Sequence, residues 1–197
     1  MTETEKESLY LRKDRYVSIG ITENGSPAGT IGVPWEVTAH AFNMKIPDVY
    51  IAPEDLNDEA LMDKISSFHV TGCYVFTPLG DYGFIGKFKD IMDIYIVRGG
   101  NLKDLSFLCG LGDWMMLHVE GAHLNDLEPV RLSLKSRKTI PPICLSFSCC
   151  TVGNISALYG LDHISELIIT GADDNAETAR WSKVCAHTFK YRKTSRQ

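Results

Sequence analysis

Internal repetition is the feature that most limits the folds open to this sequence. Residues 94–108 align with residues 116–130 at an offset of 22 residues, and glycine, valine and leucine recur at equivalent positions. At an offset of 50 residues, residues 110–122 align with residues 160–172, and each segment begins with Gly-Leu and ends with Gly-Ala. A recurring period of this length is typical of repeat architectures, in which neighbouring units stack and share a continuous core.

The clearest repeat unit has apolar residues that are three, three, two, three, two, three and three positions apart. These residues are Leu111, Trp114, Leu117, Val119, Ala122, Leu124, Leu127 and Val130. The spacing is typical of a short strand followed by a compact return of the chain. Residues 124–130, which read Leu-Asn-Asp-Leu-Glu-Pro-Val, resemble the second half of the bacterial leucine-rich-repeat unit of about 22 residues, as in internalin-type proteins.

This resemblance covers residues 46–172, and it implies an α/β fold in which a leucine-rich-repeat solenoid carries a parallel β-sheet. The sequence departs from the family at the positions of its asparagine ladder. Ala122, Ala172 and either Gly99 or Gly100 stand there instead. Because the hydrogen bonds of that ladder must then be replaced, we expect an irregular, degenerate solenoid.

The N-terminal cap region, residues 1–45, is predicted to contain a β-hairpin. Residues 16–21 and residues 30–33 have strand-like composition and flank Asn24-Gly25, a dipeptide that favours tight hairpin turns. Just inside the repeat region, residues 58–67 are predicted to form a helix.

The C-terminal region, residues 173–197, is predicted to be a helical cap with a basic tail. Apolar residues recur at helical spacing over residues 176–189, and Asp173, Asp174 and Asn175 can supply the N-cap. The basic tail is expected to be a solvated end. Both caps belong to one structural domain with the repeats, because the end units of a repeat core need polar-faced covers.

A shared repeat frame also predicts which residues form the core. Residues 133–142, which include Lys-Ser-Arg-Lys and Pro-Pro, are expected to form an exposed loop. The residues expected to be buried are Leu102, Leu105, Trp114, Leu117, Val119, Leu124, Leu127, Leu158, Leu161, Leu167 and Ile169.

Charge and composition limit the function classes. The chain has 197 residues and a formal net charge of −5, which argues against a nucleic-acid binder and favours a basic protein partner. No apolar run is long enough to span a membrane, and the charged start lacks the apolar segment of a secretion signal. We therefore expect a cytoplasmic protein that does not bind membranes.

The six cysteines include no Cys-x-x-Cys pair. Without a secretion signal they are expected to remain reduced, and the repeat frame places Cys109 and Cys149 inward as small core residues. The vicinal pair Cys149 and Cys150 has no second pair to complete a soft-metal site, so neither a metal nor another cofactor is expected.

The sequence contains none of the common catalytic signatures. Gly-x-Ser-x-Gly and His-Glu-x-x-His are absent, and the glycine-rich residues 80–87 lack the hydroxyl side chain that follows the lysine of a phosphate loop. The chain is therefore predicted not to be an enzyme. The alternative is a hydrolase-like enzyme that uses a Cys/His pair on neighbouring strands, for instance Cys150 with His118.

A surface remains as the candidate site. Residues next to the inward-facing positions of each strand should form the concave sheet face, which bears tyrosines and acids but no lysine or arginine. Tyrosine is common on binding surfaces, although strand propensity alone also favours it. We expect a non-catalytic protein-binding module, of immunity type or regulatory, that uses this exposed face. The predicted binding residues are Tyr50, Asp93, Tyr95, Met116, His118, Glu120, Ser148, Glu166 and Ile168.

Overall fold

Parallel strand pairing dominates the architecture. The computed structural model describes residues 16–25, 49–135, 137, 142–153, 155–161, 163–170 and 189–192. The strands are β1 (Tyr16–Ile21), β2 (Val49–Ile51), β3 (His69–Val75), β4 (Asp93–Ile96), β5 (Met116–Glu120), β6 (His123–Leu124), β7 (Ile143–Ser148), β8 (Thr151–Val152), β9 (Ile164–Thr170) and β10 (Phe189–Arg192). Together with two α-helices in the described part, they confirm the predicted α/β class with a parallel sheet.

Eight of these strands form the main sheet, in the order β2-β1-β3-β4-β5-β7-β9-β10, and all the described pairings in it are parallel. From β3 onward the strands lie side by side in chain order, with β6 and β8 set apart in a small parallel sheet of their own. Because the resemblance begins at residue 46, it predicts that β2 precedes β3 as its neighbour in the sheet. Instead, β2 lies at the edge beside β1, and β1 pairs with β3.

Alternation along each strand separates an inner from an outer face. In β5, Leu117 and Val119 are fully buried in the main hydrophobic core, whereas their neighbours point to the other side. The cross-strand register aligns such residues into continuous inner rows. One row contains Cys73, Ile94, Leu117, Leu145 and Leu167, and the next contains Val75, Ile96, Val119, Phe147 and Ile169.

Short helices and 3₁₀ turns cover the inner face. Helix α1 (Glu59–Ser66) buries Leu61, Met62 and Ile65, and it begins where the Asp58 carboxylate accepts a hydrogen bond from the Leu61 amide at 3.0 Å. This is the helix predicted over residues 58–67. Helix α2 is Glu128–Lys135, and 3₁₀ turns span Gly83–Lys87, Ser106–Gly110 and Ser156–Leu158.

A residue with a left-handed backbone conformation follows each of three central strands, at the same position of the register. Arg98 after β4, Gly121 after β5 and Cys149 after β7 have φ values of 70°, 71° and 53°. The turns are joined by backbone hydrogen bonds, since the Gly99 amide donates to Glu120 O at 2.7 Å and the Gly121 amide donates to Ser148 O at 2.9 Å. Consecutive strand-and-turn segments are therefore held together beyond the ends of the strands.

Backbone contacts also join the turns at the positions where the resemblance predicts an asparagine ladder. The Thr151 amide donates to Ala122 O at 2.9 Å, and the Gly153 amide donates to Leu124 O at 2.8 Å, which pairs β6 with β8. At Gly99, an added Cβ would lie 3.2 Å from Glu120 O and 3.3 Å from the Ala122 Cβ. Small residues at the ladder positions thus allow the neighbouring turns to approach closely.

The predicted N-terminal hairpin is not formed by β1. At residues 19–21 both edges of β1 are hydrogen-bonded to parallel strands, β2 and β3. Asn24 and Gly25 do adopt the positive φ values that favour a tight turn, but the turn packs against the end of β2. Residues 30–33, the expected second arm, lie outside the described residues.

The C-terminal prediction is also corrected in part. The helix expected over residues 176–189 lies outside the described residues except for Phe189, which begins β10. Residues 189–192 pair in parallel with β9, so this part of the predicted basic tail is a strand. Strands from both predicted cap regions thus belong to the same sheet as the repeat region.

The core prediction is confirmed for every named residue except Leu161, which is only partly buried. The predicted exposed loop begins too early, because Ser133 and Leu134 are buried in α2. Cys109 and Cys149 are exposed, contrary to expectation. The left-handed turn at Cys149 interrupts the alternation of β7, and it is Cys150 that turns into the core.

The described part of the chain contains neither a disulfide bond nor a membrane-spanning helix. Cys73, Cys109, Cys144, Cys149 and Cys150 are free thiols, and no group of three potential metal ligands occurs among the described residues. In the same part of the chain, no helix has both the length and the apolarity needed to cross a membrane.

We predict that Leu117→Ala costs about 2–5 kcal/mol of unfolding free energy, because it opens a cavity between two neighbouring strands. Urea denaturation measures this cost. Leu132→Ala, on the exposed side of α2, is the matched control and should change stability by no more than about 0.5 kcal/mol. Equal, small effects of the two changes would contradict the inward placement of Leu117.

Candidate interaction surface

The outer face of the main sheet, opposite the aliphatic core, contains all the predicted binding residues. The cross-strand register arranges it in three rows. On β3 to β9 the front row, nearest the amino-terminal ends of the strands, is Gly72, Asp93, Met116, Cys144 and Glu166. The middle row is Tyr50, Gly20, Tyr74, Tyr95, His118, Ser146, Ile168 and, at the register position on β10, Lys190. The rear row includes Glu120 and Ser148.

The middle row forms a second buried cluster and is not an exposed surface. Tyr95 is 1% exposed and His118 is 4% exposed, so the prediction that both face solvent is wrong. Tyr95 stacks on Tyr74, with ring centroids 5.2 Å apart, and its ring lies 5.6 Å from the His118 ring. None of these rings belongs to the main core. The sheet therefore has apolar packing on both sides.

His118 is an uncharged member of this cluster near neutral pH. Its Nδ1 lies 3.0 Å from the hydroxyl oxygen of Ser146, on the next strand, and Ser146 is also buried. Burial lowers the pKa of His118 to about 4, because the imidazolium would lose its hydration. A base this weak in a water-excluded position indicates a structural role for the pair.

Tyr95 links the middle row to the front row. Its hydroxyl donates to the Met116 sulfur. Burial raises the pKa of Tyr95 strongly, and the nearby Asp93, Tyr74 and Cys144 raise it further. The phenol therefore remains a neutral donor, and it fixes one side of Met116 at the border between the buried and the open part of the outer face.

The front row is the accessible part of the predicted face. Asp93, Met116, Cys144 and Glu166 are each half-buried. The Cys144 thiol donates to a Glu166 oxygen at 3.6 Å, and burial, followed by the charge of Glu166, raises the pKa of Cys144 to about 12. This cysteine is therefore a protonated thiol.

Exposed apolar residues extend the front row outward. Met92 is 40% exposed and Met115 is 39% exposed, and they are neighbours because the Met115 amide donates to Met92 O at 2.7 Å. Further along the same edge, exposed Tyr16 packs on His69, whose Nδ1 lies 2.9 Å from an Asp90 carboxylate oxygen. We call Met92, Met115 and the front row together the front edge.

Sequence reasoning missed both of these methionines and Cys144. Met92 and Met115 directly precede the two outward-facing residues Asp93 and Met116, and this position could have indicated the edge. Cys144 stands at the front-row position of β7, beside Met116, whereas the only residue predicted for binding on this strand was Ser148, four positions later in the rear row.

The remaining predicted residues occupy the margins of the outer face. Tyr50 on β2 and Ile168 on β9 are half-buried on either side of the buried centre of the middle row. Glu120 and Ser148 are half-buried neighbours in the rear row. The structure therefore places all nine predicted residues on one face, with Tyr95 and His118 buried at its centre and the other seven partly accessible.

The structure does not bring together the Cys/His pair considered in the alternative hypothesis. The Cys150 thiol donates to Val119 O at 3.3 Å and lies in the main core. His118 lies on the outer face, where its described side-chain partner is Ser146. Burial raises the pKa of Cys150 to about 11, which further disfavours a thiolate nucleophile at this position.

Comparisons of this chain with protein-family models, with curated proteins and with solved structures found no match. Assignment of the surface therefore depends on the contacts and exposure of its own residues.

We predict that Tyr95→Ala costs roughly 3 kcal/mol or more, because it removes a buried ring stacked between Tyr74 and His118. Tyr95→Phe retains the ring and should cost clearly less. Urea unfolding of the two variants measures the difference. If Tyr95→Ala left the stability unchanged, the ring would have to be a surface group, as the sequence alone suggested.

We also predict that His118 makes stability depend on pH. Between pH 6.5 and about 4 the unfolded chain takes up a proton at this residue and the folded chain does not, so stability is lost as the pH falls through this window. The contribution is roughly 3 kcal/mol, and it is fully present above pH 6.5.

Unfolding measured across this pH range in wild type and His118→Gln tests the assignment. Glutamine stays neutral, so its loss of stability should be smaller than that of wild type over the same window. Parallel pH profiles for the two proteins would mean that His118 is accessible to protons in the folded state.

Proposed function

We propose that this protein is a non-catalytic protein-binding module, built as a degenerate leucine-rich-repeat solenoid, whose binding site is the front edge. The observation that carries the proposal is a line of half-buried and exposed side chains along the amino-terminal ends of β4, β5, β7 and β9. Parallel strands in register place these side chains about 4.8 Å apart from one strand to the next. Such a rigid row is suited to contact with a folded partner.

The solenoid part of the proposal has three supports. Strands from β3 onward follow chain order, the turns after β4, β5 and β7 have equivalent left-handed residues, and 3₁₀ turns return the chain behind the sheet. Repeated strand-and-return units of this kind are the basis of the leucine-rich-repeat architecture. The end caps and the cytoplasmic location predicted from the sequence belong to the same proposal.

The partner is proposed to be basic. Asp93 and Glu166 lie in the front row and Glu120 lies in the rear row, and no lysine or arginine occupies an outer-face position of β1 to β9 among the described residues. The basic residues Lys190 and Arg192 stand at the far edge of the sheet on β10, at the register positions beside Ile168 and Thr170, and not in the front row. Met92, Met115 and Met116 provide adaptable apolar contact beside these charges. An acidic rim around an apolar strip suits a regulatory or immunity-type protein that neutralises a cationic partner, since complementary charge speeds association.

The test uses charge reversal on the full-length chain. We compare wild type with Asp93→Lys/Glu166→Lys in affinity capture from the source lysate, and then measure association with the purified partner. The matched control is Glu54→Lys/Asp63→Lys, which reverses two exposed acids away from the outer face. Reversal at the front row should slow association at low salt by about tenfold or more, and the difference should shrink as salt screens the charges.

The expected partner is a basic protein captured by wild type and by the control but lost with the front-row variant. Equal capture by all three proteins, or an association rate that ignores the front-row reversal at low salt, would contradict the proposed site. The control should keep the wild-type free energy of unfolding within about 0.5 kcal/mol, because its two altered side chains are exposed. The front-row variant loses the contact between Glu166 and the Cys144 thiol, so urea unfolding is measured to establish that it is folded before its binding is compared.

A further inference from the structure

An arginine at the amino-terminal side of β7 packs over a buried tryptophan. The guanidinium carbon of Arg137 lies 4.7 Å from the centre of the Trp114 ring, and its Nη1 donates to the Trp114 carbonyl oxygen at 2.7 Å. Trp114 is fully buried and precedes β5, whereas Arg137 lies between α2 and β7. The tryptophan therefore holds the arginine both through its ring and through its backbone.

Three other donors of this pair have no acceptor among the described residues. Nε and Nη2 of Arg137 and Nε1 of Trp114 are shielded from solvent, and none of them has a hydrogen-bond partner within the part of the chain that the structure describes. Buried donors without partners are rare in native proteins, and a charged group is the most costly case. Three such donors on two packed side chains indicate a site that is complete only with an added acceptor.

The geometry of the guanidinium indicates which chemical group can be that acceptor. Nε and Nη2 project from the same side of the group as two parallel N–H bonds, and Nη1 is already committed to the Trp114 carbonyl. This fork matches two oxygens of one carboxylate or phosphate, which it binds in a bidentate manner. A neutral acceptor with one oxygen could satisfy only one of the two bonds.

The nearest described acid does not fill the fork. Burial lowers the pKa of Arg137, whereas the charge of Asp113 raises it, so this carboxylate lies close enough to act through its field. Asp113 is nevertheless exposed, and it makes no hydrogen bond to Nε or Nη2. The guanidinium is thus partly desolvated without a bound counter-ion among the described residues.

We propose that Arg137 and Trp114 form an oxyanion-binding site, in which Nε and Nη2 of Arg137 hold two oxygens of a carboxylate or phosphate group and the Trp114 indole N–H is a further donor. Arg137 as a whole is partly exposed, and the proposal requires its side chain to rotate so that the two shielded nitrogens meet the ligand. The site is independent of the front-edge function, because it recognises a negative charge and not a basic partner.

The experiment titrates the full-length chain with inorganic phosphate, with acetate, and with chloride at matched ionic strength. Tryptophan fluorescence and the thermal midpoint are the readouts, and Trp114→Phe identifies the part of the fluorescence change that belongs to this residue among the three tryptophans. Phosphate or acetate should shift both readouts beyond the chloride control. A response to phosphate alone assigns a tetrahedral ligand, and a response to acetate assigns a planar carboxylate.

Arg137→Lys keeps the positive charge but removes the fork, so it should weaken oxyanion affinity by about tenfold or more. Arg131→Lys is the matched control on α2 and should bind as wild type does. Affinity is measured below the thermal midpoint of each variant, so a loss of stability in Arg137→Lys does not obscure the result.

Asp113→Asn decides between an external ligand and an internal ion pair. Removal of the competing negative charge should tighten oxyanion binding if the fork is open to a ligand. The proposal is overturned if Asp113→Asn instead destabilises the chain as much as Arg137→Gln does, and if the double variant is no less stable than either single variant. That result would mean that the two residues form an internal ion pair. The proposal is equally overturned if wild type shows no response beyond chloride, or if Arg137→Lys responds as wild type does.

Discussion

The rest of the structure depends on the turns that follow the central strands, because they hold each strand-and-turn segment against the next. Arg98, Gly121 and Cys149 occupy the left-handed region at one common register position, and two of the three are residues with a Cβ, for which that region is unfavourable. The surrounding contacts must therefore stabilise the turn. Backbone hydrogen bonds from Gly99 to Glu120 and from Gly121 to Ser148 supply part of that stabilisation, and they fix each segment against the next.

That register aligns side chains into rows on both faces of the sheet. On the inner side it aligns aliphatic residues such as Leu117 and Leu145 into a continuous core. On the outer side it stacks Tyr74, Tyr95 and His118, which are buried as well. A surface that can meet a partner is consequently restricted to the margins, and the front edge combines charge with exposed apolar area there.

The sequence was sufficient to predict that the strands are parallel and to which face of the sheet most side chains point. Alternation placed Leu117 inward and Met116 outward, because a strand fixes which face a residue takes. It could not predict that Tyr95 is buried, since alternation does not reveal how crowded the outer face is. It also failed at Cys149, where a positive φ ends the alternation, and at β10, where basic residues suggested a solvated tail. The Arg137–Trp114 pair depends on contacts across 23 residues of chain, which no local pattern encodes.

Backbone hydrogen exchange tests the stacking of the turns most directly. The amides of Gly99, Gly121, Thr151 and Gly153 lie beyond the strand ends or in the small sheet, yet each donates to the neighbouring segment. The account predicts that these four amides are protected from exchange together with the amide of Leu117 in the centre of the main sheet. Exchange of the four at the rates of an unstructured chain, while Leu117 remains protected, would contradict it.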